Sequence, residues 1–107
     1  MSRVLLSDPD SQHAREIAST LRTLSCQTTT CSDLPTALLL LETEYFEVVL
    51  VVASCKTGWE LTVDAIRQAA WNLSDPPQVI CLLRGPYRGP SERVYAARKG
   101  FKVVYEQ

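Results

Sequence analysis

Val48-Val49-Leu50-Val51-Val52-Ala53 runs without interruption into Ser54-Cys55-Lys56, and the reading of this stretch decides the fold. Six apolar, mostly β-branched residues in a row form a strand buried on both faces, the signature of a central strand in a parallel sheet covered by helices. No Asp or Glu occurs between Glu47 and Glu60, so the strand ends without a carboxylate.

The pattern around this strand alternates. Arg3 to Ser7 reads as a short buried strand, and Asp8-Pro9-Asp10 as a turn in which Asp10 or Ser11 caps a helix. Ala14, Ile17, Ala18, Leu21 and Leu24 recur at helical spacing and give that helix one apolar face. Cys26 to Cys31, rich in threonine, has the composition of an edge strand. Ser32 or Asp33 caps a second helix with Pro35 in its first turn, and Ala37, Leu38, Leu40 and Leu41 form its core face. Beyond the central strand, Gly58 precedes a helix carrying Trp59, Val63, Ile66, Ala70 and Leu73 at the 3.6 period. Gln78 to Leu83 is a further apolar strand, and the Gly-Pro pairs of the loop that follows break any helix. A short helix from about Ser91 to Lys99 stops at Gly100, with Phe101 to Tyr105 as the last strand. Five strands alternating with four helices argue for one α/β domain over 1–107, a doubly wound parallel sheet with right-handed crossovers.

Composition sets further bounds. The 107 residues are 46% hydrophobic with a formal net charge of −1, enough for one modest core. The charge is uneven, because Arg84 to Gln107 carries six basic residues against Glu92 and Glu106 while the rest of the chain is at −5. Such asymmetry suits a partner of defined polarity. The apolar run at the N-terminus breaks at Asp8, so it reads as neither signal peptide nor membrane span, and a cytoplasmic location is expected. Cys26, Cys31, Cys55 and Cys81 lack paired CxxC spacing and His13 is the only histidine, so reduced thiols and no metal site are expected. Cys55 beside Lys56 has no histidine close in sequence to activate it. Two acids in Ser7-Asp8-Pro9-Asp10-Ser11-Gln12 would repel the phosphate of a flavin nucleotide, so no cofactor and no small-molecule substrate are expected.

The order and spacing of these pieces resemble the receiver domain of bacterial response regulators. RVLLSDPDSQ resembles that family's first strand and acidic turn, and LPTALLLLETEYFEVVLVV its second helix and third strand; GWELTVDAIR, PPQVICLL and ARKGFKVVY resemble the third helix, the fourth strand and the entry to the fifth. The resemblance implies a flavodoxin-like sheet of order 2-1-3-4-5. It also implies a pocket in which a receiver accepts a phosphoryl group on an aspartate, with Mg²⁺ held by that aspartate and an acidic pair. Matched residue by residue, the phosphoacceptor position falls at Val52, with Ala53 and Ser54 beside it. Asp8 matches one acid of the pair and Pro9 replaces the other; Leu83 stands at the hydroxyl position, and the lysine falls at Gln107 or beyond. Lys56 is a candidate to fill the metal position and pair with Asp8.

The pocket is therefore expected to be degenerate and the chain not an enzyme. Function is expected instead from protein–protein contact or dimerisation in two-component-type signalling, through Tyr87, Arg88, Arg93, Tyr95, Arg98, Lys102 and Tyr105, residue types enriched at interfaces. Nucleic-acid binding through the same basic segment is the alternative and ranks behind, since no helix-turn-helix or stacked-aromatic platform is visible. The resemblance further implies a fifth helix beside the first, and the sequence ends at Gln107 without one. A homodimer or protein partner covering that side is expected, or else a larger signalling protein of which this is the N-terminal fragment.

Overall fold

A computed structural model describes residues 2–54, 58–85 and 91–106. The elements follow in the order β1 (Arg3–Ser7), α1 (Ser11–Thr23), β2 (Gln27–Cys31), α2 (Leu34–Thr43), β3 (Val48–Ser54), α3 (Trp59–Trp71), β4 (Gln78–Arg84), α4 (Ser91–Lys99) and β5 (Lys102–Tyr105). The strands form one parallel sheet of order β2-β1-β3-β4-β5. The flavodoxin-like arrangement expected from the sequence is thus the observed one. Both β3 and β4 run one residue further than expected, to Ser54 and Arg84, which pair with each other at the carboxyl edge.

The helix ends follow local chemistry. Asp10 caps α1 by accepting from the backbone N–H groups of Gln12 and His13, and Asp33 caps α2 by accepting from Thr36. At the far end of α1, Ser25 takes the left-handed conformation (φ 64) and the Cys26 N–H donates to the Leu21 carbonyl at 3.0 Å. That turn lifts Leu24, expected on the apolar face, out of the core: it is exposed. Gly100 ends α4 in the same way at φ +83; a Cβ there would lie 2.6 Å from the Trp71 ring, so the position requires glycine for both reasons.

The pleat divides the core in two. One face of the sheet sends Leu5, Val49, Val51, Val79, Cys81 and Leu83 toward Ala37 and Leu41 of α2, Val63, Ile66 and Ala70 of α3 and Ala96 of α4. The opposite face, with Leu6, Leu50, Val52 and Leu82, meets Ala14, Ile17 and Ala18 of α1. That second layer is thin, and at its outer edge Val104 is half exposed.

Candidate functional site

At the carboxyl edge of the sheet, where open α/β folds hold ligands, a cavity of about 500 Å³ is lined by Asp8, Pro9, Val52, Ala53, Ser54, Arg84, Gly85 and Glu106. The structure therefore brings together Asp8, Pro9, Val52 and Ser54 of the degenerate pocket expected from sequence. Leu83 is not part of it. The alternation along β4 turns Leu83 into the core beneath α3 and α4, where it is fully buried, and the side chain that β4 gives to the cavity is Arg84. Lys56 and Gln107 lie outside the described residues, as do Cys55, Tyr87 and Arg88.

The wall formed by β3 is Val52, Ala53 and Ser54, none of them an acid. The acids of the pocket come from elsewhere. Asp8, just past β1, is 1% exposed; its Oδ1 accepts from the backbone N–H of Asp10 at 2.9 Å and its Oδ2 from His13 Nδ1–H at 2.5 Å. The other ring nitrogen of His13 donates to Glu106 Oε2. Arg84 then donates from Nε to Glu106 Oε1 and from Nη1 to Asp10 Oδ2, each at 3.2 Å. The side chains alternate in charge from Asp8 through His13, Glu106 and Arg84 to Asp10.

The electrostatics follow from these contacts. Burial lowers the His13 pKa, but the bonds to Asp8 and Glu106 outweigh it and raise the value above 6.5. The hydrogen bond from His13, aided by Arg84, holds Glu106 below the ordinary carboxylate value. Asp10 is lowered by the His13 backbone N–H and by Arg84.

This donor set does not fit a divalent cation. The one fully buried carboxylate, Asp8, has both oxygens engaged by protein donors, and Pro9 supplies no side-chain oxygen beside it. Among the described residues no group of three His, Cys, Asp or Glu is arranged to hold a metal ion.

Sequence reasoning missed Arg84 and Glu106 as members of the pocket, and His13 as the residue that bonds two of its acids. The signal for His13 was its phase: it lies four residues before Ile17 and one before Ala14, on the inward side of α1. A buried histidine needs partners for its ring nitrogens, and the chain ends of β4 and β5 are where a parallel sheet delivers them.

The surface expected to bind a partner is partly engaged within the fold. Tyr95 packs edge-on against Trp59 and Phe101 at 5.8 and 6.1 Å between ring centroids. Arg93 lies over the Tyr105 ring, and the Tyr105 hydroxyl donates to Glu92. Arg98 and Lys102 are exposed, and Val94 and Val104 beside them are half exposed.

No protein-family model matches the sequence, and no curated protein matches it. Solved structures do match. The receiver domain of the Francisella response regulator 1452 superposes with a TM-score of 0.75 at 19% identity, over 99% of this chain and 84% of that one. An orphan response regulator of H. pylori gives 0.76 at 20% identity, over 98% of this chain and 82% of that one. A de novo designed Rossmann 2x3 protein reaches 0.73 at 12% identity over all of this chain and 79% of its own. The fold is that of receiver domains; the likeness of a designed protein shows that such agreement speaks for architecture and that function must be argued from the site.

Proposed function

We propose that this chain is a regulatory module with a receiver fold that acts by binding protein, in two-component-type signalling in the cytoplasm, without accepting a phosphoryl group and without enzymatic activity of its own. The observation that carries the reading is the end of β3. Val52, Ala53 and Ser54 form the cavity wall where a receiver presents its phosphoacceptor, and the buried carboxylate of the lining, Asp8, is turned into a bond with His13. Among the described residues the β3 wall offers no carboxylate to accept the phosphoryl group, and both oxygens of Asp8 are already engaged by protein donors, so neither half of aspartyl phosphoryl transfer has a residue free to perform it.

Partner contact is assigned to the sheet side of α1 and the neighbouring β5 edge. Leu50 and Leu82 are only partly buried there, and Val104 is 49% exposed, beside the charged Lys102. Apolar area with a charged rim suits a protein surface. A homodimer through this side is the simplest arrangement.

Incubation with acetyl phosphate and Mg²⁺ followed by intact-mass measurement tests the first claim. The expected spectrum shows the unmodified chain alone, and an adduct of one phosphoryl group overturns the reading. Sedimentation at micromolar concentration tests the dimer: a well-folded monomer rules it out and leaves only a different protein as partner.

A further inference from the structure

We infer that His13 is a tethered cation held between two carboxylates of the pocket, strapping the end of β5 to the end of β1 and keeping divalent cations out. The inference rests on the phosphorylation-independent reading above and names what closes the pocket.

The argument starts from hydrogen-bond chemistry. An ionised carboxylate only accepts, and a neutral imidazole carries one N–H. His13 bonds a carboxylate through each ring nitrogen, Asp8 through Nδ1 and Glu106 through Nε2. With both carboxylates ionised, both nitrogens carry a proton, and the ring is an imidazolium placed between two acids that come from opposite ends of the chain.

Every carboxylate oxygen of the cluster is used. Asp8 accepts from the Asp10 N–H and from His13; Asp10 accepts from the Gln12 and His13 N–H groups and from Arg84; Glu106 accepts from Arg84 and from His13. A metal ion entering here would have to displace donors already in place, and would meet the two positive charges of His13 and Arg84. The groups facing His13 are Asp8 just past β1, the Asp10 cap and Glu106 just past β5, with Arg84 of β4 behind Glu106. Removing the imidazole frees one oxygen on the buried Asp8 and one on Glu106, with Asp10 nearby. Carboxylate oxygens in that number are what a hard divalent cation takes.

The strap also has a mechanical consequence. It joins residues 93 apart in sequence, across the ends of β3 and β4. Glu106 is further tied to β4 by its own N–H, which donates to the Leu83 carbonyl at 2.9 Å.

The test is a titration with Ca²⁺ and with Mg²⁺, followed by amide NMR, on the intact chain and on His13→Ala. The account expects saturable shifts at Asp8, Asp10 and Glu106 in the variant, with an affinity on the order of tenfold or more above that of the unchanged chain. Equal affinities, or no binding by either protein, overturn it. Should His13→Ala fail to fold, ¹⁵N spectra of the imidazole in the unchanged chain decide at neutral pH: two protonated ring nitrogens support the strap, one overturns it. A phosphoryl adduct in the acetyl phosphate experiment strikes the proposed function, whereas equal cation affinities of the unchanged chain and His13→Ala strike the strap, so the two failures are read from different measurements.

Discussion

The two faces of this sheet are built from the same strands by alternate residues, yet they do different work. On one, Val49, Val51, Cys81 and Leu83 disappear beneath α2, α3 and α4 into a continuous apolar core. On the other, Leu50, Val52 and Leu82 meet, among the described residues, α1 alone, and the layer ends in the polar cluster of Asp8, His13, Arg84 and Glu106. The thick face is where folding free energy comes from, since area removed from water sets it. The thin face carries the buried charge and the exposed apolar edge, the two features that cost stability and that a stability-only design would avoid.

The contrast is broken most easily by truncating each side. Ile66→Ala, on the thick face and fully buried, is expected to lower stability by about 3–4 kcal/mol. Leu82→Ala, partly buried on the thin face, should cost about half as much, because less area is lost and the site is already open to water. Denaturant midpoints measure both, and equal losses would mean that the thin face is covered in solution by something as good as a helix layer.

His13→Gln comes next, at about 2 kcal/mol, because the buried Asp8 loses its charged hydrogen-bond partner. The pH dependence of the same network has a definite sign. The raised pKa of His13 gives stability that is fully present below 6.5 and is lost as pH rises through the folded-state value. The lowered pKa of Glu106 gives stability present above 4.5 and lost as pH falls through its folded-state value. Both contributions are complete between these limits, so thermal midpoints should be highest there and decline on the alkaline side. In His13→Gln the alkaline decline should flatten, and an unchanged slope would place the titrating group elsewhere.

The smallest effect is expected at the opposite end of the sheet. Arg3 pairs with Glu44 at 2.8 Å, but both side chains are more than a third exposed, so Arg3→Ala should cost about 0.5 kcal/mol or less, and less again in high salt. Arg3 also lies over the Phe46 ring, and a loss well above that figure would assign the excess to this stacking.

The fold was legible because its signals are local and mutually consistent. Strands apolar on both faces specify a covered parallel sheet; Asp10, Asp33 and Gly100 mark helix ends by side-chain oxygen or permitted backbone conformation. Leu24 misled because the helical period continues one residue past the turn that Ser25 makes. The pocket was legible only as a gap: missing acids at Val52 to Ser54 show in one dimension, while the cluster that fills the place does not. His13 and Glu106 are joined by topology, and nothing near either in sequence announces the other. Leu83 shows the same limit at the scale of one residue, since a strand's two faces differ by a single step in register.

The central claim is that the pocket has left phosphoryl chemistry, and amide NMR in Mg²⁺ with beryllofluoride, a stable stand-in for the phosphoryl group, tests it most directly. The account predicts that the resonances of Asp8, Val52 and Ser54 stay in place as both are added; saturable shifts centred on these three residues would contradict it.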